Sequence, residues 1–249
     1  MKVCVAGLGI IGQPVAEYIQ SHGFQVYGFD LRRILIENVQ TFTDWENVPK
    51  SDIFIIAVPS SNVETACRRI AEKANDALIS VESTVTLGTC RRIAEKYGLP
   101  ALVHCPHRFW EDEPLIHGVR QSRVIGALDG NSLERALKFY RLLDIPLHVC
   151  PTIETAEICK IAENAYRFTQ IAFAEELRMI CEEKGIHFDD VRKACNTKWN
   201  IEIPEARDGI YGKCLPQDVG FLNLILDDSP ILDGAIRTDQ NYKKWIRKR

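Results

Sequence analysis

Three groups of residues in this sequence have the types and the spacing that chemistry requires. The first is Gly7-Leu8-Gly9-Ile10-Ile11-Gly12, which follows a short apolar run and precedes an amphipathic stretch. In such a loop the first glycine permits a tight turn, the second lets the backbone approach a pyrophosphate, and the third lets the helix press on the strand. Asp30 ends the next apolar run, 18 residues after Gly12, where a carboxylate can accept hydrogen bonds from ribose hydroxyls. The pattern predicts a dinucleotide site.

Arg32 and Arg33 bear on which dinucleotide this site takes. An arginine at this position can accommodate the 2′-phosphate of NADP, whereas the carboxylate of Asp30 repels it. We therefore expect NAD as the cofactor, with NADP as the alternative.

The second group lies on a long helical stretch and consists of Glu157, Lys160 and Asn164. Their i, i+3, i+7 spacing places them on one helix face. A lysine and an asparagine one turn apart can polarise a hydroxyl and hold the oxyanion that develops as a hydride leaves. A glutamate and a lysine at this spacing also form ordinary surface ion pairs, so the pattern by itself leaves both interpretations open.

The third group is the segment at 209–218, G-I-Y-G-K-C-L-P-Q-D. Here Cys214 follows Gly212 and Lys213 and precedes Asp218. A neighbouring cation favours the thiolate form of a cysteine and a glycine gives access to it, so Cys214 is a candidate nucleophile. The alternative is a structural role, because cysteine is among the most buried residue types.

Composition excludes several other classes of function. The 31 basic and 34 acidic side chains give a formal charge of −3, which offers no global attraction to nucleic acid or an anionic membrane. Nine cysteines occur singly, without a C-x-x-C motif or Cys/His ligand spacing, so we expect neither disulfides nor a metal site. No segment has the roughly 20 apolar residues of a membrane span, and the glycines in the first ten residues argue against a signal peptide. We expect a reduced, cytoplasmic protein.

The elements that must position these groups follow from hydrophobic periodicity. Short apolar runs alternate with amphipathic stretches in the first 150 residues, which is typical of an α/β domain with a doubly wound parallel sheet. The predicted strands are 2–6, 25–29, 52–58, 77–81, 101–104, 123–127 and 147–149. The predicted helices between them are 13–21, 63–73, 90–97 and 132–143.

After Pro151 the strand pattern stops, and 152–184 reads as one long helix with Thr152 as its N-cap and Gly185 at its end. We therefore predict two domains, 1–150 for dinucleotide binding and 151–249 as an all-α region. An apolar stripe on the long helix exceeds what a small domain obviously needs, so we expect a homodimer, with packing on the first domain as the alternative. The stripe consists of Ile158, Ile161, Ala165, Phe168 and Ala172.

Five motifs occur together and in order, and with them the sequence resembles the UDP-glucose/GDP-mannose dehydrogenase family, in particular its UDP-N-acetylmannosamine dehydrogenases. The motifs are V-A-G-L-G-I-I-G-Q-P-V-A at 5–16, E-S-T-V-T-L-G-T at 82–89, T-A-E-I-C-K-I-A-E-N-A-Y-R at 155–167, I-A-F-A-E-E-L at 171–177 and G-K-C-L-P-Q-D at 212–218. The resemblance implies a Rossmann domain that binds NAD, followed by a helical region that forms the dimer and contributes to catalysis.

The resemblance also implies a role for each matching residue. Thr84 would lie beside the nicotinamide and a catalytic water, and Lys160 and Asn164 would stabilise the oxyanion. Cys214 would capture an aldehyde as a thiohemiacetal, and Asp218 would work with Lys160 and the water. An alcohol would be oxidised twice, giving hydride to NAD each time, and a thioester on the cysteine would be hydrolysed to a carboxylate. The implied cofactor-binding residues are Gly7, Gly9, Ile10, Ile11, Gly12, Asp30, Val58 and Thr84.

The sequence departs from the family pattern at several positions. His107 stands where the family has a glutamate that serves in acid–base catalysis; a histidine can also move protons near neutral pH, but it reverses the local charge when it is protonated. Tyr211 stands where a glycine is expected, which predicts a loop less open to substrate. Glu175 replaces the usual asparagine, and Thr86-Leu87 replaces a pair of prolines.

Family members continue into a second Rossmann-like domain that holds the nucleotide of the substrate, whereas this sequence ends at Arg249. Three interpretations follow. The protein is an NAD-dependent oxidoreductase with the cysteine chemistry, using a partner subunit for that domain or a smaller substrate. Alternatively, it is a two-electron dehydrogenase of the hydroxyacid type, in which Cys214 is a bystander, or a non-catalytic dimer that binds NAD. Retention of Cys214 and Asp218 favours the first.

Overall fold

The computed structural model describes residues 1–73, 76–110 and 118–248. They form two compact units, Met1–Lys160 and Ile161–Arg249. None of the helices in the described ranges combines the length and the apolar character that a membrane crossing requires. The same ranges hold no group of three or more His, Cys, Asp or Glu side chains that could bind a metal ion.

The first unit is built on one eight-stranded sheet with the order β3-β2-β1-β4-β5-β6-β7-β8. The strands are β1 (Lys2–Ala6), β2 (Gln25–Phe29), β3 (Gln40–Phe42), β4 (Ile53–Ile56), β5 (Leu78–Val81), β6 (Ala101–His104), β7 (Arg123–Ala127) and β8 (Leu147–Val149). The helices are α1 (Gly12–Ser21), α2 (Val63–Ala71), α3 (Thr89–Tyr97) and α4 (Gly130–Leu142), and α5 (Ile153–Glu183) begins here. The predicted α/β class is confirmed.

The direction of the last two strands differs from the predicted parallel sheet. Strands β3 to β6 are parallel, but β7 pairs antiparallel with β6, and β8 then runs parallel to β7. Parallel neighbours need a crossover, usually a helix, whereas antiparallel neighbours do not. The described part of the connection between β6 and β7 contains no helix. The sheet is therefore mixed.

Two apolar layers cover the sheet, one on each face. Val3, Val5 and Ile55 pack with residues of α1 and α4, whereas Phe54 and Ile56 point to the opposite face and pack with residues of α2 and α3. Because successive side chains of a strand alternate between faces, a strand with helices on both sides must be apolar throughout. All four residues of β4 are buried accordingly.

The second unit is helical in the described residues. It contains most of α5 together with α6 (Phe188–Cys195), α7 (Cys214–Asn223) and α8 (Pro230–Ile246). The predicted N-cap of α5 is present, because the N–H of Thr155 donates to Oγ1 of Thr152 at 3.1 Å. The helix ends as predicted before Gly185, which has a φ of +68°.

The apolar stripe of α5 that predicts a dimer is mostly covered by other helices of the same chain. Ala165, Phe168 and Ala172 are buried in a cluster with residues of α7 and α8, while Ile161 is also buried and Ile158 is half-buried. This stripe therefore offers little free surface, and our reason for expecting a dimer was wrong. A different face of α5 is apolar and exposed, with residues at seven-residue spacing. They are Tyr166, Phe173 and Ile180. The dimer itself stays a prediction.

Candidate active site

The glycine loop between β1 and α1 has a distinct requirement at each glycine. Gly7 has a φ of +95°, and a Cβ there would lie 2.5 Å from the carbonyl oxygen of Ala57. A Cβ on Gly12 would lie 1.7 Å from the carbonyl oxygen of Gly7, so both positions must be glycine for the chain to pass. A Cβ on Gly9 would meet nothing within 4 Å. The middle glycine therefore leaves the open surface on which a pyrophosphate can approach the backbone.

The start of α1 suits an anion. No side chain caps its N-terminus and its first turn contains no acidic residue. The backbone N–H groups of a helix start have no partner within the helix, and the helix dipole favours negative charge there. Ile10, just ahead of the helix, is exposed. The loop and the helix start thus have the features that bind phosphate groups.

Asp30 lies at the end of β2 and is fixed by two backbone donors. The N–H of Leu8 donates to Oδ2 at 2.9 Å and the N–H of Arg32 donates to Oδ1 at 2.9 Å. Burial alone would raise the pKa of Asp30, but the backbone hydrogen bonds and the Arg32 guanidinium outweigh it and hold the pKa below its ordinary value. The carboxylate is therefore ionised at neutral pH beside the glycine loop.

A narrow cavity of about 170 Å³ opens next to Asp30, between the ends of β2 and β4. Its walls are mostly apolar and include Phe29, Leu31, Val58 and Ala66, with Arg69 as the charged group. Leu31 is largely exposed at its edge. An apolar slot beside a carboxylate that we predict to bind a ribose suits a planar heteroaromatic ring. Val58 was predicted here, whereas Leu31 and Arg69 were not, since neither stands out by type or spacing.

The end of β5 leads to Thr84. Oγ of Ser83 donates to the carbonyl oxygens of Val58 at 2.6 Å and of Ile56 at 3.1 Å, which fixes the two strand ends to each other. Thr84 follows directly and is half-buried. It therefore lies at the carboxyl edge of the sheet, where ligands of doubly wound folds bind.

Glu157 has a structural contact that excludes the surface ion pair we considered. It is completely buried, and its carboxylate accepts hydrogen bonds from the N–H of Gly88 at 2.6 Å and of Cys90 at 2.8 Å. These are free donors at the start of α3, so Glu157 caps that helix from α5. Lys160 follows one turn later and is half-buried.

His107 lies in a buried cluster of charged groups. Its Nε2 contacts Oε2 of Glu82, to which Nη1 of Arg123 also donates at 2.9 Å. The hydroxyl of Tyr140 donates to the other oxygen of Glu82 at 2.5 Å. Burial alone would raise the pKa of Glu82, but Arg123 and His107 lower it to about 2. Glu82 is therefore an ionised carboxylate held by a buried arginine.

The same surroundings keep the histidines neutral. Burial, with Arg123 next, lowers the pKa of His107, and burial lowers that of His104 to about 3. The charge on Lys160 contributes to both shifts, so this lysine acts on the end of β6. The charge reversal expected from a protonated His107 therefore does not arise at neutral pH. One signal for this cluster is present in the sequence and was missed: an acidic residue, Glu82, directly follows a buried strand.

In the second unit, Asn164, Asp218 and Cys214 are brought together. Nδ2 of Asn164 donates to Oδ2 of Asp218 at 2.6 Å, and Asp218 is only 1 % exposed. Cys214 is the first residue of α7, and Asp218 lies one turn later on that helix. A helix start stabilises negative charge, which suits a reacting thiol.

Cys214 also differs from the other cysteines in its exposure. It is exposed, whereas Cys159 and Cys195 are half-buried and the remaining six are buried. Burial raises the pKa of Cys4, Cys67 and Cys105 to about 12, so these thiols stay protonated at neutral pH. The structural role that we weighed for Cys214 therefore finds no support in packing. The catalytic and cofactor-binding roles of all these residues stay predictions.

Comparison with known proteins adds an independent finding. Residues 154–235 match the central domain of the UDP-glucose/GDP-mannose dehydrogenase family. The predicted resemblance to this family is confirmed. Among curated relatives, the UDP-N-acetyl-D-mannosamine dehydrogenase of Methanococcus maripaludis is 28 % identical over 99 % of this chain and 67 % of its own length. The NDP-N-acetyl-D-galactosaminuronic acid dehydrogenase of Ralstonia nicotianae is 28 % identical over 95 % of this chain and 67 % of its own.

Solved structures of the family agree. The UDP-D-ManNAc dehydrogenase of Pyrococcus horikoshii is 26 % identical, with a TM-score of 0.92, and the match covers 100 % of this chain and 70 % of that one. This chain therefore spans about two thirds of the length of these similar proteins. The relatives are named as dehydrogenases, which supports the prediction of an oxidoreductase that acts on a CH–OH group.

The fold is shared more widely than the family. The 3-hydroxyisobutyrate dehydrogenase of Mycobacterium tuberculosis is 16 % identical, with a TM-score of 0.76, and the match covers 99 % of this chain and 94 % of that one. At this identity the likeness shows the fold alone. The fold therefore does not separate the family from a two-electron dehydrogenase, and the distinction must come from the residues of the site.

Proposed function

We propose that this protein oxidises a primary alcohol of a nucleotide sugar to a carboxylate with NAD, in two hydride transfers that share Cys214 as covalent nucleophile. The observation that carries the proposal is the exposed Cys214 at the start of α7, one turn from the buried Asp218 that Asn164 holds. The names of the relatives support a nucleotide sugar as substrate.

The first unit offers a site into which NAD fits. The open face at Gly9, the uncapped start of α1, the ionised Asp30 and the apolar slot lined by Val58 suit its pyrophosphate, ribose and adenine. When bound, NAD accepts the hydride in each oxidation. Asp30 also disfavours the 2′-phosphate of NADP, because two negative charges would face each other in a partly buried place.

The side chains divide the chemistry among them. The substrate hydroxyl passes its proton to water as the first hydride leaves, while Lys160 and Asn164, one turn apart on α5, donate to the substrate oxygen and hold its negative charge. The Cys214 thiolate then bonds to the aldehyde carbon, and the carbonyl oxygen takes a proton to give a thiohemiacetal. Loss of a second hydride and of that proton leaves a thioester.

Water completes the reaction. A water oxygen bonds to the thioester carbon, the C–S bond breaks, and the thiol of Cys214 is restored with release of the carboxylate. Asp218, fixed by Asn164, takes the proton of the attacking water, in line with the role that the resemblance implies for it. The balance is one alcohol, two NAD and one water giving one carboxylate, two NADH and three protons.

The number of NADH molecules formed per substrate tests the proposal. With UDP-N-acetyl-D-mannosamine or UDP-glucose, we expect two NADH and one carboxylate, measured by absorbance and mass spectrometry. Cys214→Ser should abolish carboxylate formation while NAD binding, measured by calorimetry, is unchanged; Cys195→Ser is the matched control. One NADH per substrate with no effect of Cys214→Ser would favour the hydroxyacid-type dehydrogenase. NAD binding without turnover of any alcohol would favour the non-catalytic dimer.

We also propose that the protein works in a reducing compartment such as the cytoplasm. All nine cysteines are free thiols, and six of them are buried in apolar packing. Mass spectrometry of protein purified from its native cells under alkylating conditions should show nine alkylated cysteines. A disulfide in that material would contradict this location.

A further inference from the structure

Two departures from the family pattern, Tyr211 and Glu175, are both close to the same side chain. Nζ of Lys243, on α8, lies 4.5 Å from the centre of the Tyr211 ring. The charge of Lys243 also acts on Glu175, which lies on α5. Both positions belong to the second unit, and Tyr211 is in the loop that leads to Cys214.

Lys243 and Asp239 hold the backbone of Ile210 from both sides. The N–H of Ile210 donates to Oδ1 of Asp239 at 2.8 Å, and Nζ of Lys243 donates to the carbonyl oxygen of Ile210 at 2.6 Å. Nζ also donates to Oδ2 of Asp239 at 2.8 Å, an i, i+4 ion pair on α8. Asp239 is buried and Lys243 is half-buried, so these bonds are stronger than they would be in water.

The fit of the loop against Lys243 leaves little freedom. Gly209 has a φ of +114°, and a Cβ there would lie 2.6 Å from the aliphatic part of the Lys243 side chain. Gly212, two residues before Cys214, has a φ of +86° and open space around it. The Asp239–Lys243 pair thus fixes the loop at Ile210, four residues before Cys214.

Glu175 is the unusual group beside this pair. It is completely buried, and in the part of the chain that the structure describes neither of its carboxylate oxygens has a hydrogen-bond partner. The titratable and charged groups that interact with it are on α8, namely Asp239, Tyr242 and Lys243. Arg178, one turn later on α5, and Asp208, in the loop, act on Tyr242. A buried carboxyl without a donor is stable only when it is protonated.

The electrostatics agree with a protonated Glu175. Burial and the negative charge of Asp239 raise its pKa to about 8, and Lys243 offsets only part of this. Once ionised, Glu175 is a second carboxylate for Lys243, in competition with Asp239 and the carbonyl of Ile210.

We propose that Asp239 and Lys243 position the Cys214 loop, and that Glu175 permits this only while it is protonated. When Glu175 loses its proton to solvent, its charge draws Nζ of Lys243 away from Ile210 and releases the loop. Lys243 is thus a positioning residue for the nucleophile; its significance for catalysis rests on the proposed function, whereas the release of the loop does not.

Hydrogen exchange of the loop at 208–213, read by mass spectrometry between pH 6 and 9 and corrected for the intrinsic exchange rate, tests the mechanism. We expect protection of the loop to fall at least tenfold between pH 7 and pH 9. Glu175→Gln should remove this pH dependence, because the amide cannot ionise. Lys243→Met should give low protection at every pH, and Lys243→Arg should restore part of it. The variants Glu183→Gln and Lys244→Met change exposed residues of the same helices. They are the matched controls and should behave like the parent protein.

Two results would overturn the proposal. One is a loop in Lys243→Met as protected as in the parent protein, and the other is a pH dependence that persists in Glu175→Gln. Exchange of β4 in each variant reports whether the protein is folded. If Lys243→Met does not fold, the nearly isosteric Glu175→Gln decides by itself.

A second readout separates this proposal from the proposed function. The rate at which iodoacetamide alkylates Cys214 should change with pH in parallel with loop protection. Glu175→Gln should remove the part of this pH dependence that follows the loop. If Cys214→Ser left the oxidation of substrate intact, the proposed function would fail while the exchange experiment still decided the loop mechanism. If Cys214→Ser abolished substrate oxidation but loop exchange was unaltered in Lys243→Met, the loop mechanism would fail while the proposed function stood.

Discussion

Replacing Glu175 by glutamine is expected to stabilise the protein increasingly as the pH rises. Glu175 is completely buried and its carboxylate oxygens have no hydrogen-bond partner in the described residues. Its pKa rises from 4.5 to about 8 on folding, chiefly because of burial. Between these two values the unfolded chain has released a proton that the folded chain retains.

This difference fixes the sign of the effect. Because the folded state binds more protons than the unfolded state in that window, the free energy of unfolding contributed by Glu175 falls as the pH rises and levels off above the folded pKa. For each unit of pH inside the window, the free energy of unfolding decreases by about 1.4 kcal/mol. Between pH 5 and pH 8 the parent protein should therefore lose about 3.5 kcal/mol relative to Glu175→Gln, because the slope is below its full value at both ends of this range.

Urea unfolding of both proteins at pH 5, 6, 7 and 8 measures this difference. Glu183→Gln, an exposed position on the same helix, removes a carboxylate without burial and should give a curve parallel to that of the parent protein. The relevant quantity is the change in the difference with pH, because the cost of burying an amide at position 175 is the same at each pH. A Glu175→Gln curve parallel to that of the parent protein would refute the assignment of a neutral buried carboxyl.

Four further predictions concern the cofactor, the assembly, the thiol and the first hydride transfer. The protein should bind NAD more tightly than NADP in calorimetry, and Asp30→Ala should remove the preference; NADP binding tenfold tighter than NAD would contradict this. We expect a homodimer through the exposed face of α5, so Phe173→Glu should give monomers in sedimentation equilibrium, and a parent protein that is monomeric at micromolar concentration would defeat the prediction. Cys214 should be alkylated at neutral pH faster than the buried Cys4 and Cys181, and Lys160→Ala should raise the barrier of the first hydride transfer by about 3 to 4 kcal/mol. Equal alkylation rates, or unchanged turnover in Lys160→Ala, would count against the proposed chemistry.

Most strands of the sheet were predictable from the sequence, some of them to the residue, although the predicted bounds of β4 and β5 were one or two residues too wide. Apolar runs gave the bounds of β1, β2 and β6 as the structure has them, because helices cover both sides of these strands. The three-residue edge strand β3 was missed, because Gln40-Thr41-Phe42 contains only one apolar residue and so forms no apolar run. The direction of β7 was also out of reach, because an apolar run contains no information about strand polarity.

The site was predictable where its chemistry is local in sequence. The glycine loop and the start of α7 are contiguous motifs, and the structure gives each the geometry that its residue types require. The groups that were missed form pairs between distant positions. Arg123 and Glu82 are 41 residues apart, and Asp239 and Ile210 are 29 apart. Such pairs depend on how the chain packs, which local spacing does not reveal.

The choice between the dehydrogenase types depends on the state of Cys214 and Asp218 and not on the fold. A bystander cysteine gains stability from burial, and the buried cysteines of this chain do so at the cost of their reactivity. Cys214 gains nothing of this kind, since it is exposed on the first residue of a helix. Asp218 lies one turn later and is almost fully buried, so it loses the hydration that a surface aspartate keeps. The hydrogen bond from Asn164 on α5 offsets part of that cost. An exposed thiol one helical turn from a buried, oriented carboxylate is unfavourable for packing and suits thioester chemistry, so both positions support the four-electron oxidation that we propose.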